Sequence, residues 1–228
     1  MNTTRIAELL APFYGQDDAA RLADGDRDRI SMYIDILMRW NSRINLTAIR
    51  DPEEIVTRHF GESLFAARHL FPHPSVPSVV KGLAVADIGS GAGFPGIPIK
   101  LWAPDISLTL IESNHKKATF LREVCRVLTL TDVDIKIARA ETLAPHAFDV
   151  VTLRAVERFE TVLPAASQLV ACPGRLALLI GSAQLPKAHF LIAAHKTPAG
   201  SPIWSHTEPV PLSESRILAI ATYQKSYG

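Results

Sequence analysis

Apolar side chains recur every third or fourth position through the first third of the chain, then gather into short continuous runs separated by helical spacing. Ile6, Leu9, Leu10 and Phe13 share one helical face, and Ile30, Tyr33, Ile34, Leu37 and Met38 repeat that spacing in a longer helix. The longer helix is expected to start after Asp26 or Asp28 and to end near Trp40-Asn41. A third starts at Asp51-Pro52-Glu53-Glu54, where a capping aspartate, a proline at the first helical position and acidic side chains all complement a helix N-terminus. It directs Ile55, Val56, Phe60, Leu64 and Phe65 toward a core. The run Pro72-His73-Pro74-Ser75-Val76-Pro77 breaks the pattern and serves as the linker between a helical extension, residues 1–75, and the remainder, 76–228.

From Leu83 the pattern changes. Strands are expected over 83–88, 106–111, 133–138, 148–153 and 175–180, with helices near 95–102, 114–128, 158–171 and 183–194. Short strands alternating with helices of that length require right-handed crossovers and a parallel sheet, hence an α/β fold. Segments 202–208 and 215–223 follow one another with no helix between them, so the last strand is expected to run antiparallel. That ending fits a class I methyltransferase, of Rossmann-like architecture, better than a dehydrogenase.

Composition narrows the setting. With 228 residues, 47% of them hydrophobic, the chain can build one substantial core carrying a helical appendage. The amino terminus lacks a charged-then-apolar signal pattern and no apolar run reaches the roughly 18 residues a membrane helix needs, so a cytoplasmic protein without a membrane partner is expected. Cys125 and Cys172 show no metal-ligand spacing and read as core thiols, so no metal is expected. A net charge of +1 argues against holding nucleic acid by overall attraction, and Arg39, Arg43, Arg50, Arg58 and Arg68 are interleaved with acidic residues.

The chemistry is concentrated in Val85-Ala86-Asp87-Ile88-Gly89-Ser90-Gly91-Ala92-Gly93-Phe94-Pro95-Gly96, a buried strand that turns on glycines into a helix. Such a turn lets a ligand approach the main chain while the amides of the new helix point at it. About 20 residues further on, the apolar run Leu108-Thr109-Leu110-Ile111 ends in Glu112, placed to accept both hydroxyls of a ribose. Gly91 to Gly96 satisfies G-x-G-x-x-G, but glycines at alternate positions 89, 91 and 93 with Asp87 just before them favour S-adenosylmethionine over a dinucleotide. A carboxylate at the strand tip repels a pyrophosphate and tolerates an ammonium and a sulfonium.

Residues just after each strand of an open parallel sheet face the ligand. The third strand ends in Arg139-Ala140-Glu141, where backbone and carboxylate can bracket an adenine edge, and the fourth in Leu153-Arg154-Ala155, placing a basic side chain where substrate meets the transferable methyl. The fourth tip carries neither the Asp/Asn-Pro-Pro-aromatic tetrapeptide of exocyclic-nitrogen methylation nor a cysteine nucleophile beside a proline. An acceptor with a free lone pair, such as guanine N7, needs only positioning in line with the sulfonium.

Several segments together resemble one family. Trp40-Asn41, Asn45-Leu46-Thr47-Ala48-Ile49, Arg58-His59-Phe60 with Ser63-Leu64, the Asp87 to Pro98 run, Glu112-Ser113-Asn114 with Lys117 and Phe120-Leu121, and Arg154-Ala155 are similar to the bacterial small-subunit ribosomal RNA guanine-N7 methyltransferases, also called glucose-inhibited division protein B. The resemblance spans roughly residues 30–180. It implies transfer of a methyl group from S-adenosylmethionine to N7 of one guanine in the decoding-region hairpin of 16S rRNA, as free RNA or in a small-subunit particle; separately, a monomer is expected. In that reading Asp87, Gly89, Gly91 and Gly93 shape and orient the methionine end of the cofactor and Glu112 holds the ribose. Phe94, Ala140 and Glu141 line the adenosine. Arg154, with Asn45 and His59 from the extension, positions the guanine or its phosphate, Arg154 also touching the cofactor. The chain departs from the family at Glu62, where Asp is common, and at Ile180, where Lys is common, and the missing lysine removes one possible phosphate contact. A small-molecule methyltransferase and a non-enzymatic cofactor-binding assembly factor remain open beside this reading.

Overall fold

The computed structural model describes residues 1–14, 22, 24–72, 81–156, 158–195 and 201–224. Helix α1 (Thr3–Leu10) is capped by Asn2, whose side chain accepts a 2.8 Å bond from the Thr4 amide, and α2 (Asp24–Asn41) starts slightly earlier than the periodicity suggested. The third helical segment begins as its sequence requires. Asp51 accepts from the Glu54 amide at 2.8 Å and Pro52 opens α3 (Pro52–Glu54), which runs through a π-helical stretch (Ile55–Gly61) into α4 (Glu62–Leu70). The expected joint at 75/76 lies within 73–80, outside the described residues.

The α/β part follows in alternation: β1 (Ala84–Ile88), α5 (Gly96–Trp102), β2 (Ser107–Ile111), α6 (His115–Val127), β3 (Val133–Lys136), β4 (Phe148–Arg154), α7 (Phe159–Leu169), β5 (Val170–Gly181) and α8 (Leu185–Ala194). A closing hairpin, β6 (Ile203–Pro209) and β7 (Arg216–Tyr223), completes a seven-stranded sheet of order β3-β2-β1-β4-β5-β7-β6. β7 slots between β5 and β6 and is antiparallel to both, while the β1–β2, β1–β4, β2–β3 and β4–β5 pairs are parallel. One boundary differs from expectation. α7 ends at Leu169 and β5 starts at Val170, because Val170 pairs with Phe148 ahead of a register shift that brings Arg175 opposite Val150.

Strand alternation distributes the core to two faces. Val85, Leu108, Leu110, Val150 and Leu179 face one way and pack in a single apolar cluster with Ile6, Ile30, Tyr33, Phe60 and Leu64 from the amino-terminal helices. Ala86, Ile88, Ile111, Val151 and Leu178 face the other way, under α7 and α8. The extension is therefore part of the packing of the sheet, and its helix carrying Arg58 and His59 is held close to the strand ends. Strand order reverses between β1 and β4, where an open α/β sheet leaves its ligand crevice.

Gly61 lies at the end of the π-helical stretch directly over Phe13, and a Cβ there would come within 2.5 Å of the ring. Gly61→Ala is expected to lower unfolding free energy by about 1–3 kcal/mol through overpacking, measured by urea denaturation. Gly25→Ala, on the open side of α2 with nothing within 4 Å, serves as the matched control and leaves stability unchanged or slightly higher.

Candidate active site

A cleft of about 720 Å³ opens at the carboxyl ends of β1, β2 and β4. Its floor is the turn after β1, fixed by the Gly89 and Ser90 amides donating to the Ile111 carbonyl at 2.9 and 3.1 Å. Gly91 takes φ +55°, a conformation that L side chains rarely adopt, and its amide donates to Glu112 Oε2 at 2.9 Å. Glu112 Oε1 accepts from the Asn114 amide at 2.7 Å. A carboxylate offers about four lone-pair sites, so Glu112, clamped by two amides, keeps acceptor capacity for a pair of vicinal hydroxyls in the cleft. Ala140 and Glu141, on a short 3₁₀ turn (Ala140–Thr142), face the same cleft with Arg139.

Two of the glycine-turn residues do a different job from the one expected of them. Asp87 is fully buried and does not line the cleft. Its carboxylate accepts from the Gly96 amide at 3.1 Å and the Thr152 hydroxyl at 3.0 Å, so it ties the start of α5 to β4 instead of facing the ligand. Burial pushes its pKa up to about 6, against the pull of those two donors. Gly93 also points away: a Cβ there would overlap the Tyr33 hydroxyl and Ile97. Tyr33 of α2 donates to the Ala92 carbonyl, stacks on Phe94 at 5.3 Å and meets the edge of Phe60 at 5.2 Å. The helical extension thus braces the turn from behind, while Phe94, stacked on His59 at 4.8 Å, lines the cleft.

Arg154 ends β4 and is 8% exposed. Its Nε and Nη2 donate to Glu62 Oε2 at 3.2 and 3.0 Å, and Nη2 also reaches the Arg58 carbonyl at 2.6 Å and His59 Nδ1 at 3.0 Å. Arg154 also lines the cleft. Glu62 is the common counter-ion: its Oε1 lies 3.4 Å from Arg58 Nε and 3.5 Å from Arg216 Nε. One buried carboxylate therefore gathers three guanidiniums. Glu62 thus belongs to the packing of that cluster and not to an outward surface.

His59 is held neutral. Arginine can only donate, so Nδ1 is an acceptor and the ring proton resides on Nε2, which donates to Thr47 Oγ1 at 2.7 Å. Burial, joined by the charges of Arg154, Arg58 and Arg216, drives the ring's pKa down to about 3. Thr47 is held in turn by Asn41, which accepts from the Leu46 and Thr47 amides at 3.0 and 3.1 Å and donates to the Thr47 carbonyl at 2.9 Å.

The structure therefore brings together Gly89, Gly91, Phe94, Glu112, Ala140, Glu141, Arg154 and His59 around one cleft. Asn45 does not join them: it is exposed on the loop after α2 and lies outside the lining, because the side chain that organises this loop is Asn41. Arg216 and Thr47 both line the cleft without having been singled out from the sequence. Thr47 stood inside the Asn45 to Ile49 motif, whereas Arg216 arrives from the first position of β7 with no local signal. The described lining holds Arg58, Lys117, Arg139, Arg154, Arg158 and Arg216 against Glu112 and Glu141, a locally basic surface in a chain of net charge +1. A second cavity of about 600 Å³, bounded by Phe159, Ile180, Gly181 and Leu212, shares Arg58, Arg154 and Arg216 with the first.

Known proteins share this sequence and this fold. The GidB family model, described as rRNA small subunit methyltransferase G, matches residues 26–195. Ribosomal RNA small subunit methyltransferase G of Halorhodospira halophila is 41% identical over 181 residues, covering 75% of this chain and 81% of that one. The protein of the same name from Roseiflexus castenholzii is 41% identical over 168 residues, covering 72% and 68%. Among solved structures, magnesium protoporphyrin IX methyltransferase of Synechocystis, with bound S-adenosylmethionine, superposes with a TM-score of 0.61 at 14% identity over 86% of this chain and 97% of that one. The ribosomal protein L11 methylase of Lactobacillus delbrueckii gives 0.57 at 17% identity over 73% and 79%. The fold is that of the class I S-adenosylmethionine-dependent methyltransferases.

Two measurements probe this cluster. Because the folded-state pKa of His59 is depressed from 6.5 to about 3, its neutral form contributes stability above pH 6.5 that is lost as pH falls toward 3. Asp87, shifted upward, acts in the opposite sense: stability is gained as pH falls from about 6 toward 3.8. Comparing wild type with His59→Gln cancels the Asp87 contribution, and the stability difference between them is expected to move by about 2 kcal/mol between pH 7.5 and 5 in urea titrations. A difference independent of pH would mean that the ring is not held neutral. Glu62→Gln removes the buried carboxylate shared by Arg154, Arg216 and Arg58, of which only Arg58 keeps another, Glu54 at 3.5 Å, and is expected to destabilise by about 3–5 kcal/mol.

Proposed function

The chain belongs to the rRNA small subunit methyltransferase G family, and on that premise we propose that it methylates N7 of a single guanine in the decoding-region hairpin of 16S rRNA, with S-adenosylmethionine as methyl donor. The observation that carries this reading is the pairing, in one cleft, of the amide-clamped Glu112 with a basic rim built from Arg58, Arg154 and Arg216. The first suits the ribose of an adenosine and the second a polyanion. No described helix is long and apolar enough to cross a membrane. We place the enzyme in the cytoplasm as a monomer acting on rRNA or the small ribosomal particle.

The residues present fit the cofactor. Glu112 accepts the ribose hydroxyls, the open backbone at Gly89 and Gly91 admits the methionine end, and Ala140, Glu141 and Phe94 border the adenosine. When bound, the cofactor supplies a methyl group activated on a sulfonium. The protein's part is positioning. Guanine N7 already carries a free lone pair, so no side chain has to remove a proton before transfer. His59 is unsuited to that task in any case, since Nδ1 faces a guanidinium and Nε2 already carries the proton. Arg154, fixed by Glu62 and by the Arg58 carbonyl, lines the cleft where the guanine or its phosphate is positioned. Loss of solvent around the acceptor and alignment with the methyl supply the rate enhancement. In this reading residues 1–75 and 76–228 act as one unit, the extension supplying the wall opposite the glycine turn.

Mapping of N7-methylguanosine in rRNA from cells with and without the chain tests the assignment: one small-subunit position is expected to lose the modification, and an unchanged pattern overturns it. For the cofactor site, Glu112→Ala removes charge-assisted bonds of about 1.5–3 kcal/mol, and S-adenosylhomocysteine affinity by calorimetry is expected to fall about 10- to 150-fold.

A further inference from the structure

Thr47 is placed to read the base. Its hydroxyl oxygen receives two hydrogen bonds, from His59 Nε2–H at 2.7 Å and from the Ile49 amide at 3.1 Å. Both lone pairs are then in use, so the hydroxyl can only donate onward. The direction of this relay cannot be reversed locally. His59 would have to carry its proton on Nδ1 to accept from Thr47, and there it would meet Arg154 Nη2, which has only donors to offer. Nη2 has two hydrogens for three acceptors, yet that sharing changes only the strength of the contact and not its polarity. Thr47 lines the cleft on the side of His59 and Arg154, two hydrogen bonds from the guanidinium that separates the two cavities.

Resting on the guanine reading above, we infer that Thr47 is a specificity-determining donor for the acceptor base, its hydroxyl bonding the carbonyl oxygen O6 adjacent to N7. Adenine presents an amino group at that position, and two donors facing each other repel and leave a buried group unpaired. A bond to O6 withdraws electron density from the ring, so its role is selection and orientation instead of activation. An anionic phosphate has charged donors available in the arginines of the rim, which leaves the neutral hydroxyl for a neutral carbonyl.

The test uses small-subunit particles reconstituted with guanine or with 2-aminopurine, which retains N7 and lacks O6, at the methylated position. Wild type is expected to lose about ten- to a hundredfold in kcat/KM on the 2-aminopurine particle. Thr47→Val is expected to show a similar loss on the guanine particle, no further loss on 2-aminopurine, and unchanged S-adenosylhomocysteine affinity. Thr47→Ser is expected to restore discrimination. Equal rates of wild type on the two particles overturn the inference without any variant having to fold. So does a Thr47→Val defect that is the same on both bases, or one that appears as lost S-adenosylhomocysteine affinity. Absence of methylation on the guanine particle would instead refute the guanine assignment itself.

Discussion

The contact between Glu62 and Arg154 governs the geometry of this protein. It joins α4 of the helical extension to the end of β4, 92 positions apart in sequence, and both partners are buried. Desolvating two charges is costly, and the arrangement offsets that cost by engaging Nε and Nη2 with the Arg58 carbonyl, the His59 ring and the carboxylate together. Each of those acceptors belongs to the π-helical stretch or to the turn that follows it. A wide π turn in this segment therefore has a consequence at the site: it carries the carbonyl and the imidazole that orient Arg154. Removing the charge on Glu62 would loosen the strand tip, the histidine and the extension at once.

Apolar packing does the complementary work from the opposite side of the glycine turn. Tyr33, Phe60 and Phe94 form a compact aromatic group in which the tyrosine hydroxyl reaches the Ala92 carbonyl. Offset and edge-to-face rings add specific geometry to the area they bury. The turn is thereby held between a polar clamp, Glu112 on the Gly91 amide, and an aromatic brace from α2. A glycine turn alone would be free to move. Here it is fixed from both sides before any ligand arrives, which reduces the ordering that binding must supply.

Electrostatically the molecule keeps its basic character local. A net charge of +1 gives little long-range attraction for a polyanion, while among the described residues six basic side chains border one cleft against two acidic ones. Recognition built this way depends on the shape of a folded RNA presenting a few phosphates at fixed positions more than on overall charge. The arginines of the rim are also constrained by Glu62, and a guanidinium already oriented loses less freedom when it binds.

Much of this was legible in the chain itself. Apolar periodicity located the helices and strands to within a few residues, since spacing of three to four or of two follows directly from which face is buried. The glycine turn and Glu112 could be read because their chemistry is local: a positive backbone dihedral and a carboxylate at the next strand tip need no distant partner. The assignment to a family came from several short motifs in order. What the chain could not announce was the inward or outward sense of its polar residues. Asp87 stands one residue from an apolar neighbour on a strand and only packing shows that it faces α5 and not the ligand. Asn45 and Asn41 are the same residue type four positions apart, and the loop conformation alone chooses Asn41 as the organiser. Arg216 enters the cluster through antiparallel insertion of β7 beside β5, a pairing between segments far apart in sequence. The sequence by itself determined the elements and the glycine turn, because those depend on neighbours along the chain. Tertiary structure decided which charges meet, because that depends on contacts across it.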